Sequence, residues 1–149
     1  MPPAPAPTRV LFLCVHNSAR SQMAEGLLRV WGGTAFDAHS AGSVATEVRP
    51  LAIRALAEIG VDIRAQRSKT SAEYEGDHFD WVVTVCNDAL ESCPYFPNAG
   101  NRDHWDLADP AAATGSEEER LAAFRRTRDE IAARVRAFIA GHAPAPTRP

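Results

Sequence analysis

The sequence predicts an α/β domain built on a parallel sheet, and three observations predict it. The run Val10-Leu11-Phe12-Leu13 is short, wholly apolar and followed by a polar loop, as a buried strand requires. A second run, Trp81-Val82-Val83-Thr84-Val85-Cys86, is apolar in character along its length, which marks a central strand covered on both faces. Between and after these runs, apolar residues recur at helical spacing. Strands alternating with helices imply right-handed crossovers and a parallel sheet, with ligands bound beyond the carboxyl ends of its strands.

The elements follow in order. The first strand covers residues 10–13. The first helix starts near Ser21, stacks Met23, Leu27, Leu28 and Trp31 on one face, and stops at Gly32-Gly33. A second strand is expected over residues 35–40, before the turn Ala41-Gly42. Pro50 opens a second helix with Ala52, Ala55, Leu56 and Ile59 on one face and Gly60 as its stop. Residues 62–71 form a polar connection. The third strand lies within residues 79–86, and residues 87–101 are rich in turn formers. A short fourth strand is expected over residues 104–107. Ser116 and Glu119 have capping-box spacing for the last helix, whose stripe is Leu121, Phe124, Ile131, Val135 and Phe138.

The 149 residues fit one domain with a sizeable core, assigned to residues 9–141. Residues 1–8 and 142–149 are Pro/Ala-rich and are expected to be a disordered leader and tail. The leader lacks the basic start and apolar core of a signal peptide, and no apolar run approaches the roughly 20 residues of a spanning helix. A cytoplasmic location and no membrane partner are therefore expected. A net charge of −3 creates no strong field for nucleic acid. In a reducing compartment, three cysteines point to chemistry or metal rather than to a structural framework.

The chemistry starts at Cys14, where the first strand ends. The loop Val15, His16, Asn17, Ser18, Ala19 runs to Arg20 and Ser21, where a helix begins. Loop N–H groups and a helix start converge on one spot and make an anion site. A thiol beside those positive ends is favoured as thiolate. Arg20 offers a planar fork that suits a tetrahedral oxyanion. Asn17 and Ser18 are loop-shaping residues, since short polar side chains bond nearby backbone and Asn tolerates the left-handed region. Ser21 can cap the helix, donate to the sulfur, or both. These residues define a cysteine nucleophile aimed at a phosphate-like anion.

Residues 10–26, Ser40-Ala41-Gly42, Asp109-Pro110 and the last helix resemble the low-molecular-weight protein tyrosine phosphatase fold over nearly the whole chain. Within it, Val82-Val83-Thr84-Val85-Cys86, Cys93-Pro94, His104-Trp105 and Asp109-Pro110 resemble thioredoxin-coupled arsenate reductases. The resemblance implies a three-layer sandwich around a four-stranded parallel sheet. It implies reduction of arsenate to arsenite by Cys14, Cys86 and Cys93, with Arg20 holding the oxyanion and Asp109 protonating the leaving hydroxyl. It further implies a Cys86–Cys93 disulfide reduced by external thioredoxin, with no bound cofactor or metal and a monomeric chain. The spacing of Cys86 and Cys93 is poor for zinc, while two unrelated buried thiols remain an alternative. On an intact helix, seven residues rise about 10.5 Å, beyond the roughly 7 Å a disulfide tolerates, so a bridged segment cannot be a regular helix. Residues 87–92 are expected to loop out on oxidation.

Some relatives hold potassium beside this loop with residues that match Asn17, Glu25 and Ser40 and an aspartate. Lys69 stands at the aspartate position, where its ammonium can replace the ion's charge. Arg64 and Arg67 are expected to be solvated, and none of the five histidines is assigned a catalytic role. The competing readings are a tyrosine phosphatase, an oxyanion-binding or phospho-cysteine domain without turnover, and coupling to a small thiol. Ala111-Ala112-Ala113 after Asp109-Pro110 lacks the aromatics that grip aryl phosphates in the phosphatases, and Cys93 makes a small thiol unnecessary.

Overall fold

A computed structural model describes residues 6–87 and 92–142. Four parallel strands form one sheet: β1 (Thr8–Cys14), β2 (Phe36–Gly42), β3 (Phe79–Thr84) and β4 (Ala99–His104), in the order β2-β1-β3-β4. The register opposes Cys14 to Gly42 and Leu13 to Thr84, so three strands end at one edge beside the loop. The helices are α1 (Arg20–Gly32), α2 (Pro50–Ala57) and α3 (Glu117–His142). Among the described residues, all three helices contribute to the main core, with Val10, Phe12 and Val83 from the sheet. The opposite sheet face carries Leu11, Leu13 and Val82. It is covered by a thinner layer that includes Phe96 and Tyr74, the latter from the 3-10 turn Ser71–Tyr74. Helices, sheet and this thin layer make the sandwich.

The period-2 alternation of β1 divides its side chains between these two cores, and its burial on both faces explains the unbroken apolar run. Met23, Leu27 and Leu28 lose all solvent contact, each contributing about 1.5–3 kcal/mol of transfer free energy. Trp31 is only half-buried and carries the Arg136 guanidinium over its ring at 4.4 Å. The capping box of α3 is formed: Ser116 Oγ accepts from Glu119 N–H at 3.1 Å, and Glu119 Oε1 accepts from Ser116 N–H at 3.3 Å.

Four expectations need correction. The fourth strand is residues 99–104, not 104–107. As an edge strand its outward positions are polar, so the pattern of a buried strand is missing. Trp105 and Leu107 are buried because the chain turns inward to pack on the core, where Trp105 meets Phe12 at 5.5 Å between ring centroids. Ile59 lies beyond the end of α2 and is 37% exposed, off the helical stripe. Strand β2 extends to Gly42, two residues past the expected end. Gly60 takes the left-handed φ of 81° just past α2, as expected of a helix stop. Strand β1 starts at Thr8 and α3 runs to His142, so the regular elements take in one residue from the expected leader and one from the expected tail. Residues 1–5 and 143–149 lie outside the described residues.

Candidate active site

The polar loop after β1 folds around the sulfur of Cys14. Asn17 N–H donates to Cys14 Sγ at 3.2 Å, and Ser21 Oγ lies 2.7 Å from the same sulfur. Ser21 Oγ accepts from Asn17 Nδ2 at 2.8 Å, which leaves the hydroxyl proton for the sulfur. Asn17 makes the turn with φ of 50°, a conformation that costs a non-glycine residue roughly 1–2 kcal/mol. Its side chain offsets that cost. Asn17 Oδ1 accepts from Lys69 N–H at 2.8 Å and from Gln22 Nε2 at 2.8 Å, while Nδ2 also donates to Ser40 Oγ at 2.9 Å.

This network continues inward. Ser40 Oγ donates to Glu25 Oε1 at 2.6 Å, and the Lys69 ammonium lies 3.5 Å from the same oxygen. Arg29 Nη2 donates to Glu25 Oε2 at 2.7 Å. The expected grouping of Asn17, Glu25, Ser40 and Lys69 is therefore assembled, with the ammonium against the carboxylate. At the end of β2, Gly42 lets the loop approach closely: a Cβ there would stand 2.6 Å from Val15 O and 2.8 Å from Asn17 N.

Arg20 is buried at the exit of the loop. Its Nη1 donates to Leu107 O at 3.0 Å, and its Nη2 lies 3.8 Å from Asp109 Oδ2. Asp109 is half-exposed, and its Oδ1 accepts from Ala111 N–H at 3.0 Å, capping the short turn Pro110–Ala112. One carboxylate oxygen is thus fixed by the turn while the other faces the arginine. The geometry places an oxyanion fork and a carboxyl group at one mouth.

Cys86 arrives through the pairing of β3 with β1. Val85 N–H donates to Leu13 O at 2.8 Å, and Cys86 Sγ sits 3.8 Å from the same carbonyl, one residue before Cys14. Cys86 is 0% exposed. It is joined by a disulfide to Cys93, with the Cα atoms 6.0 Å apart, so the two sulfurs are committed to each other. Asn87 and residues 92–98 are not helical; the rest of the segment expected to loop out, residues 88–91, lies outside the described residues.

The remaining loop residues act mainly through backbone. His16 is exposed, and its carbonyl accepts from Ser68 Oγ at 3.1 Å; the Ser18 carbonyl accepts from Arg49 N–H at 2.9 Å. Arg64 pairs with Asp62 and Arg67 with Glu73 at the surface, away from any anion role. Sequence reasoning missed Gln22 and Gln66. Gln22 Nε2 donates to Asn17 Oδ1 and to Arg67 O at 2.9 Å, and Gln66 Nε2 donates to Gln22 Oε1 at 2.8 Å. The available signal was a glutamine amid the small and apolar residues of α1. Leu107 was missed as well, because its contribution is a carbonyl.

The model of the low molecular weight phosphotyrosine protein phosphatase family matches residues 9–143, and the chain belongs to that family. Within it, the chain is 46% identical over 129 residues to an arsenate reductase of Halalkalibacterium halodurans, covering 87% of this chain and 93% of that protein. A solved structure of an arsenate reductase in the phosphate binding state superposes with a TM-score of 0.77 at 31% identity, covering 90% of this chain and 98% of the other. The thioredoxin-dependent arsenate reductase of Corynebacterium glutamicum superposes with a TM-score of 0.70 at 29% identity, covering 93% of this chain and 63% of the other.

Proposed function

We infer that this chain reduces arsenate to arsenite through a relay of three thiols. The observation that carries the reading is the Cys86–Cys93 disulfide, whose inner sulfur lies beside the carbonyl preceding Cys14. The arsenate reductases named above support the same reading.

The oxyanion is substrate, held by the loop N–H groups and the Arg20 fork. The Cys14 thiolate attacks arsenic, and a hydroxyl leaves as water on taking the Asp109 proton. The Cys86 thiolate then attacks Cys14 Sγ. A Cys14–Cys86 bond forms, the sulfur–arsenic bond breaks, and its electron pair stays on arsenic, which departs as arsenite. Cys93 attacks Cys86 Sγ and releases Cys14 as thiolate, which leaves the disulfide seen in the structure. An external dithiol protein of the thioredoxin class attacks Cys93, because Cys86 has no exposed surface. Its second thiolate resolves the mixed disulfide and carries away two oxidising equivalents.

All electrons come from thiols, so no resident cofactor or metal is required. Every named group comes from one chain, so a monomer suffices. Among the described residues no helix is long and apolar enough to cross a membrane, and a reducing cytoplasm suits thiols that must stay reduced between turnovers. The test is arsenate-dependent NADPH consumption with thioredoxin and its reductase. Wild type should turn over, and Cys14→Ser, Cys86→Ser and Cys93→Ser should each stop it. Wild type that consumes no NADPH with arsenate but hydrolyses a phosphate ester, with hydrolysis lost in Cys14→Ser alone, would instead favour a phosphatase that passes its intermediate to water.

A further inference from the structure

The oxyanion chemistry leaves one surface beside the disulfide without a role. Tyr95 is 74% exposed, the highest value among the exposed large hydrophobic residues described. It follows Cys93 by two residues, so its Cα lies within about 7 Å of the outer cysteine's Cα. The ring is held in place. Arg102 lies over it at 4.3 Å from the centroid and donates from Nη2 to the Tyr95 hydroxyl at 3.2 Å and to Pro97 O at 3.0 Å. The next residue, Phe96, is buried and packs edge-on against Phe79 at 5.6 Å, which anchors the segment to the sheet.

Tyr95 also borders two clefts. One, of about 430 Å³, has Val82, Thr84 and Pro94 on its walls; the other, of about 280 Å³, has Ala72, Glu75 and Pro97. A preorganised aromatic ridge flanked by recesses and stacked on arginine has the composition of an interface hot spot. Reduction at Cys93 requires the body of the reductant to cover the residues next to it. We propose that Tyr95, clamped by Arg102, is the anchor on which a protein dithiol of the thioredoxin class docks to reach Cys93. This rests on the thiol-relay reading. The partner must then offer an apolar surface beside its nucleophilic cysteine, and neither Tyr95 nor Arg102 belongs to the oxyanion loop.

The experiment measures arsenate turnover against thioredoxin concentration for wild type, Tyr95→Ala, Tyr95→Phe and Arg102→Gln. Each protein is also driven by dithiothreitol, which needs no docking surface. The KM for thioredoxin should rise about tenfold in Tyr95→Ala, less in Arg102→Gln, and stay near wild type in Tyr95→Phe. Rates driven by dithiothreitol should stay within about twofold. An unchanged KM in Tyr95→Ala overturns the proposal, as does an equal loss with dithiothreitol, which would mark a structural role. A change of oligomeric state in place of a KM effect assigns the ridge to a second copy of the chain and also overturns it. Wild type that turns over with dithiothreitol but not with thioredoxin refutes the class of reductant itself, whatever the variants do.

Discussion

The Lys69 ammonium stands 3.5 Å from Glu25 Oε1, and the two side chains are 9% and 3% exposed. Lys69 Nζ also donates to Arg67 O at 3.0 Å. A cation built into the chain neutralises the carboxylate that steadies Ser40 and, through it, Asn17. Removing it leaves Glu25 with Arg29 as its cation and takes one partner from the buried Oε1, at about 1–3 kcal/mol.

Wild type should therefore show equal turnover in potassium and sodium chloride. Lys69→Ala should lose about 2 kcal/mol in urea unfolding and regain part of its turnover in potassium over sodium. A strong, specific rise with potassium in wild type would refute the substitution of ammonium for metal.

Asn17 combines a left-handed φ with side-chain bonds to four residues. Comparing Asn17→Gly with Asn17→Ala separates the two contributions. Glycine keeps the turn and loses the bonds; alanine loses both. Both should lower arsenate turnover, by on the order of tenfold or more, with alanine the worse by about another tenfold. The rate of Cys14 alkylation at fixed pH checks the same order. Equal rates for the two variants would show that backbone strain is irrelevant here.

Asp109→Asn keeps an oxygen for the Ala111 N–H and removes the proton source that the proposed mechanism uses. Turnover should fall on the order of 10²–10⁴-fold while the melting temperature stays within a degree or two of wild type. A single-turnover trace should place the delay before arsenite release, not at reduction of the Cys86–Cys93 bond.

Glu58 ties the end of α2 to α3. Hydrogen bonds from Arg125 lower its carboxyl to about 2 from 4.5; partial burial opposes this and Arg128 reinforces it. A carboxyl depressed in the folded state stabilises above its unfolded value and loses that contribution as pH falls toward the folded one. The melting-temperature gap between wild type and Glu58→Gln should be full near neutral pH, shrink below about 4.5 and close near 2. Added salt should narrow it throughout, because the pair is exposed.

The features legible in the sequence were those written over short separations. The apolar run into Cys14, the loop to Arg20 and the start of α1 lie within some twenty residues, and each has a local rule. The capping box of α3 has one too. Strand β4 was misplaced because an edge strand has no buried pattern to display. The brace behind Asn17 was only partly legible: Lys69 reaches the loop, and Gln66 reaches Gln22 beside it, from more than forty residues away, and no local spacing announces such contacts. Cys86 was legible as a cysteine at a strand end. Its place beside Leu13 depends on the register of β3 against β1, which the sheet decides as a whole.

That register works as a reading frame. One residue inserted between Phe79 and Cys86 would swing the inner sulfur to the wrong side of the sheet, because side chains alternate at every step. The cradle around Cys14 would survive intact, since all its groups lie elsewhere in the chain. On the thiol-relay reading, such a protein would still grasp its anion and form the first bond to it, yet would have no route for the electrons. On that reading, capture and electron transfer rest on different stretches of the chain, which the register of one strand brings together.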